Sequence, residues 1–360
     1  MQKWLVAVQA LLFSATLFAQ GPSQEGPSAL SNTYYKAETY RLTGRVVLAM
    51  ETYEKLVQSD EYAEAAHYQL ARLNFEQGSF YPAFQYASNG AALFPENTWM
   101  ILLKAQCAKQ LGDTKSAGTA FEALAELQPG QPEYLFDAFK VYLQGNALED
   151  ALRVLNKVSR EYGTTPELVS DQVSIHLQQN DTKSAEKVLV AAVKEHPSVP
   201  EYYGLLSQFY DGNGKGKNAI KLLEKAVERF PLNGALHMEL ARISQRYSKT
   251  AQAMYHMEQG LVLDGVPLKD LMPVALSIYQ NRGDPEFGAL FERVFPVLEK
   301  KYEGTLPFTL FQAEIYLQEE RYQEAMERYM EAIELDPKNY ELYQIAYAIS
   351  TETGDWRCGL

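Results

Sequence analysis

Five histidines, two cysteines and one glycine-rich segment are the parts of this sequence best suited to chemistry. His67, His176, His196, His237 and His256 offer imidazole, the usual general base and a common zinc ligand. None has a second histidine one helical turn away with a third ligand beside it, and the His-Glu-x-x-His pattern is absent. The run Asp211-Gly212-Asn213-Gly214-Lys215-Gly216-Lys217 could cradle a phosphate or a calcium ion. Its glycines do not follow phosphate-loop spacing, Lys215 stands where a third oxygen ligand belongs, and Leu222 replaces the bidentate glutamate. It reads as a turn. No serine lies in a Gly-x-Ser-x-Gly elbow, and neither Cys107 nor Cys358 has a motif around it. Glu224, Glu228, Glu327 and Glu331 stand at helical spacing from Lys and Arg, so they read as a solvated face. The sequence therefore predicts no enzyme, no metal site and no cofactor.

The elements that would position these residues announce themselves by spacing. Ala49, Ala83, Ala117, Ala151, Ala185, Ala219 and Ala253 stand 34 residues apart. Five residues before the ladder alanine come Gly44, Gly78, Gly112 and Gly214, with Asn180 in the same place and Gly145 one residue early. Glycine or asparagine there suits a helix end that enters the left-handed region. Asp113-Thr114-Lys115-Ser116-Ala117 recurs as Asp181-Thr182-Lys183-Ser184-Ala185, and each aspartate can cap the helix that follows. Pro95, Pro129, Pro197 and Pro231 stop the second helix 12 residues beyond the alanine.

The ladder resumes late, at Ala325 and Pro337. Ala325 follows Ala253 by 72 residues, and Pro337 follows Pro231 by 106. Two periods and three periods leave the same excess of four. One insertion therefore lies in a degenerate unit between about 266 and 305, read as helices Leu268 to Gln280 and Glu286 to Tyr302. Nine helix pairs begin near 30, 64, 98, 132, 166, 200, 234, 266 and 306, and an incomplete repeat starts at 340. Tyr343, Ile345, Ala346 and Ile349 on that last helix have no following helix to cover them. Either it caps poorly, or the chain is the N-terminal part of a longer array, which is the preferred reading.

Composition narrows the partners. A net charge of −13 with no basic block excludes nucleic acid, which demands clustered Lys and Arg. Residues 1–19 read as a cleavable secretory signal, with Lys3, an apolar run from Trp4 to Phe18, and a cut after Ala19. The run is too short and too interrupted by Gln9, Ser14 and Thr16 to span about 30 Å of hydrocarbon. A Gly/Pro/Ser-rich linker fills 20–29, and the repeats occupy 30–357. Cys107 reads as a small buried hydrophobe and Cys358 as a free thiol, too far apart on an elongated array to pair.

Tyr203, Leu206, Tyr210, Gly214, Ala219, Ala226 and Pro231, followed by Tyr316, Ala325, Tyr329, Ala332 and Pro337, resemble the tetratricopeptide-repeat family over nearly all of 30–357. The resemblance implies an all-α fold, a right-handed superhelical solenoid of helix–turn–helix repeats, in which first helices line a concave groove that takes a peptide or helix. Positions 2, 5, 9 and 12 of each unit would face it. Carried over, these give Trp99 at position 2; Tyr34, Tyr68 and Phe136 at position 5; and Glu38, Arg72, Gln106 and Lys140 at position 9. The competing reading packs Tyr34, Tyr68 and Phe136 between neighbouring first helices with only an edge exposed. The Lys/Asn/Asn/Lys/Arg clamp that some family members close on a terminal carboxylate is missing at the matching positions.

The signal and repeats together resemble envelope proteins of the Gram-negative Bacteroidota type. The expected function is a periplasmic or secreted scaffold that binds a protein or peptide partner and associates peripherally with envelope complexes. A self-associating structural component is the alternative.

Overall fold

The 34-residue pattern becomes one pair of antiparallel helices per repeat. The computed structural model describes residues 29–353; the expected signal, the linker up to 28, and Cys358 lie outside them. First helices are α1 (Ala29–Leu42), α3 (Ala63–Glu76), α5 (Thr98–Gln110), α7 (Glu133–Gln144) and α9 (Pro166–Gln178). They continue as α11 (Pro200–Gly212), α13 (Gly234–Arg246), α15 (Leu268–Gln280), α17 (Leu306–Gln318) and α19 (Tyr340–Thr353). Second helices are α2 (Val46–Glu54), α4 (Phe80–Leu93), α6 (Thr114–Leu127), α8 (Leu148–Tyr162) and α10 (Thr182–Glu195). The remaining ones are α12 (Gly216–Arg229), α14 (Thr250–Val262), α16 (Pro285–Tyr302) and α18 (Tyr322–Leu335). The fold among the described residues is all-helical, a helical repeat solenoid.

Every ladder alanine, Ala325 included, is buried. A methyl group at that point lets the second helix approach its partner closely, and larger neighbours such as Phe121, Leu155, Leu189 and Leu223 fill the space beside it. The turn that joins the two helices is equally regular. Gly44, Gly78, Gly112, Asn146, Asn180, Gly214, Ser248 and Glu320 all take a left-handed conformation, with φ between 55° and 73°. Behind each, the next backbone N–H reaches back to a first-helix carbonyl, as in Asp113 N to Ala108 O at 2.9 Å and Lys249 N to Ser244 O at 2.9 Å.

One expectation changes here. Gly145 does not take the turn position one residue early; Asn146 takes it in phase, and Gly145 has φ −83°. Gly145 serves packing instead, because a Cβ there would lie 2.4 Å from the Thr114 hydroxyl oxygen.

Caps fall where the repeated aspartates put them. Asp113 accepts from Ser116 N and Asp181 from Ser184 N, both at 3.0 Å, and these backbone and hydroxyl donors hold both carboxyls below the usual range. Asp113→Ala is expected to cost about 1 kcal/mol in urea denaturation. A change below about 0.3 kcal/mol would show that the first turn of α6 needs no side-chain cap.

The chain forms two compact units that divide between Thr165 and Pro166. In the first unit, Ala37, Ala49, Tyr53, Leu56, Ala66 and Leu70 pack together, and Ala71, Ala83, Ala87, Leu103 and Cys107 form a neighbouring cluster. Burial pushes the Cys107 thiol up to about 11, which keeps it an unreactive core group.

In the second unit the degenerate repeat keeps both helices. α15 starts at Leu268, 34 residues after Gly234, so the first helix is still in phase and has the expected bounds, Leu268–Gln280. The insertion sits behind it: α16 has 18 residues where α12 and α18 have 14. Leu290, Val294 and Leu298 on α16 pack against Leu271, Tyr279, Phe308 and Phe311.

The last helix is also better covered than its sequence implied. Ala346 and Ile349 are buried against α18, Tyr343 and Ile345 are partly buried, and the large exposed side chains are Tyr340 and Tyr347.

Candidate functional site

The residues expected to face a partner all lie in the first unit, on α1, α3, α5 and α7. The structure sorts them into two groups. Glu38 accepts from Arg41 at 2.6 Å and also from the Tyr53 hydroxyl on α2. Burial, then this hydrogen bond, raises the Tyr53 hydroxyl far above its ordinary value. Glu314 and Tyr329 make the same tie in the second unit at 2.6 Å, with the same 15-residue separation. In both repeats the position-9 glutamate is therefore consumed by its own repeat. Arg72 is engaged too, through an ion pair with Glu76 at 3.1 Å.

The tyrosines of position 5 are likewise mostly structural. Tyr34 stacks on Tyr62 with ring centroids 4.9 Å apart and meets Tyr53 edge-on at 6.4 Å. Burial and the nearby Glu38 push its hydroxyl up. Tyr68 packs on the Ala71–Ala83–Ala87 cluster. For these two side chains, packing between helices wins and an edge remains.

Trp99, Gln106, Phe136 and Lys140 differ. Trp99 is 60% exposed. It follows Asn97, whose side chain caps α5 by accepting from Met100 N at 2.9 Å and donates to Glu64 on α3 at 2.7 Å. The indole is thus exposed on a well-anchored helix start. Gln106 and Lys140 are exposed with no side-chain partner among the described residues, and Phe136, one helical turn before Lys140 on α7, is half-buried. An exposed aromatic anchor with unpaired amide and ammonium groups suits an apolar segment that carries an acceptor or a carboxylate.

Three arrangements escaped the sequence reading. His237 and His256, 19 residues apart, meet in the second unit with their Nδ1 atoms 2.9 Å apart. Asp211 is no loop residue: it ends α11, with a buried side chain bonded by Arg246 at 2.6 Å and Arg242 at 3.2 Å from α13. Glu224 does not pair along its own helix but accepts from Gln252 on α14 at 2.8 Å. The ties between repeats connect residues near one period apart, such as Asn97–Glu64, Arg153–Glu122 and Arg293–Glu258. A search for complementary pairs near that separation could have found them. The histidine pair lies within one repeat and gives no such signal.

No group of three or more His, Cys, Asp or Glu side chains among the described residues could hold a metal ion. No helix of the described residues is long and apolar enough to cross a membrane.

Comparison with known proteins agrees with the architecture. Models described as tetratricopeptide repeat match residues 100–131, 170–234 and 310–339. No curated protein matches the sequence. Among solved structures, the chain is similar to a tetratricopeptide repeat protein from Parabacteroides merdae, at 15% identity over 68% of this chain and 96% of that one, with a TM-score of 0.33. It is also similar to yeast Tom70, at 13% identity over 86% of this chain and 76% of that one, with a TM-score of 0.35. YrrB, a tetratricopeptide protein with an unusual peptide-binding site, matches at 13% identity over 49% of this chain and 90% of that one, with a TM-score of 0.32. The family models show tetratricopeptide repeats in the segments they match, where the helix pairs and their left-handed turns recur.

Proposed function

We propose that this protein is a binding scaffold of the bacterial cell envelope that takes a peptide or helix of a partner protein along the first helices of its N-terminal unit. Tetratricopeptide repeats generally mediate protein–protein interactions. The single observation that carries the reading is Trp99, an exposed indole on an anchored helix, in phase with the unpaired Gln106 and Lys140. Glu38 and Arg72 are already neutralised within their own repeats, so they set the shape of the face and not its charge. The envelope assignment rests on residues 1–19. Mass spectrometry of the mature protein should find Gln20 at the N-terminus, and an intact Met1 would remove it.

Crosslinking pull-down from an envelope fraction tests the face. Trp99→Ala with Lys140→Glu is expected to reduce recovery of the partner at least about tenfold, because exposed aromatic anchors dominate such interfaces. Undiminished recovery with unchanged helical content would take this face out of consideration. Exposed Tyr340 and Tyr347 on α19 support a second reading, self-association through the C-terminal unit. Sedimentation across concentrations distinguishes it, since a monomer throughout excludes assembly.

A further inference from the structure

The His237–His256 contact joins the first and second helices of one repeat. Both rings are buried, at 5% and 8% exposure. His237 Nε2 lies 3.2 Å from the Pro231 carbonyl oxygen, which can only accept, so that nitrogen carries a proton. In a neutral ring Nδ1 is then a lone pair, and His256 must donate its Nδ1–H across the 2.9 Å contact. A first added proton can keep the hydrogen bond, because an imidazolium still donates to an imidazole, but it places a charge in the interior that burial disfavours. A second cannot: two N–H groups and two charges would then face each other in the interior.

The helices leave the rings little room to part. A Cβ on Gly260 of α14 would lie 3.0 Å from the backbone nitrogen of Met238 on α13, and one on Gly234 would lie 2.7 Å from the Asp264 carbonyl oxygen. Relief of the repulsion therefore has to move one helix from the other. The charged group facing the pair is Glu224 of α12, which favours a protonated His256 but is already bonded by Gln252 and lies 3.8 Å from Lys249. Tyr255 completes the surroundings, edge-on to His256 with ring centroids 4.9 Å apart.

We propose that the His237–His256 pair is an acid-operated latch, which holds α13 on α14 at neutral pH and loosens that hold in acid. Burial lowers both imidazoles; for His256, burial and then the charge of His237 bring it to about 4 from an ordinary 6.5. Because the folded values are depressed, the contribution is complete above 6.5 and is lost as the pH drops toward 4. The same helix α13 carries Arg242 and Arg246, which hold the buried Asp211 of α11, so opening would also disturb that tie between repeats. This inference does not depend on what the first unit binds.

Hydrogen exchange on the full chain tests it, with α17 and α18, which contain no histidine, as the internal reference. After correction for intrinsic exchange, the opening constant of α13 and α14 is expected to rise on the order of twentyfold between pH 7 and pH 5, from His256 alone. The reference helices should change far less. His256→Asn keeps a donor near His237 without a titrating ring, and should cut the pH response at least about threefold. Ring ¹⁵N chemical shifts of the native protein provide a reading that needs no variant. Either ring titrating near the ordinary 6.5, or equal protection of α13 and α14 at the two pH values, would overturn the latch.

Discussion

Gly118→Ala is expected to destabilise the protein by about 2–3 kcal/mol, although alanine is the better helix former by about 1 kcal/mol. Gly118 lies inside α6, so helix propensity alone predicts a gain. The packing decides otherwise. A Cβ on Gly118 would stand 2.3 Å from Cζ and 2.4 Å from Cε1 of Tyr142. That ring is 1% exposed, and its hydroxyl donates to Glu122 at 2.8 Å. Glu122 is in turn held by Arg153, whose Nη2 donates at 2.9 Å. The tyrosine therefore cannot swing aside without breaking a tie that joins two repeats. Urea denaturation of Gly118→Ala checks the loss. Tyr142→Leu should then remove most of the penalty, because the space opens while Glu122 keeps Arg153. Gly204 provides the opposite sign: it lies inside α11 with nothing within 4 Å of its would-be Cβ, so Gly204→Ala should stabilise by about 0.5–1 kcal/mol. Two losses of similar size would mean that the glycines are read by backbone and not by contact.

The same contrast explains what the sequence could disclose. Periodicity is a property of the backbone and of small residues, and those were legible: the alanine ladder, the capping aspartates and the boundaries of α15 and α16 all appear where spacing puts them. Even Gly145, which looked out of register, gives way to Asn146, Ser248 and Glu320, which hold the phase without glycine. A left-handed turn enforced by two long helices can override the cost of a side chain there. The partner-facing residues were only half legible. Position number says which way a side chain leaves its helix, not whether a neighbour has already claimed it. Glu38 and Arg72 stand at position 9 of their repeats, yet Arg41, Tyr53 and Glu76 engage them. Contacts such as His237–His256 depend on ring rotamers across one helix pair, and spacing carries no trace of them.

The buried carboxylate of Asp211 should respond very differently to loss of itself and loss of its partners. Its side chain is 3% exposed, whereas Arg242 and Arg246 are 44% and 57% exposed. Replacing both arginines by methionine strands a charge in the interior, and the expected cost is about 3–5 kcal/mol. Part of that cost falls on Glu239, which also accepts from Arg242 at 2.7 Å. Replacing Asp211 by leucine instead leaves two guanidinium groups that already reach water, one of them still paired with Glu239. It also removes a buried oxygen, Oδ1, that has no hydrogen-bond partner. Its expected cost is below about 1 kcal/mol, and a small gain is consistent with the same physics. The triple variant, with all three charges gone, should recover most of what the two arginine replacements lose. Chemical denaturation of the four proteins closes the cycle. Equal costs for the aspartate and for the arginine pair would mean that the tie between α11 and α13 draws its stability from attraction, and not from the need to keep a desolvated charge compensated.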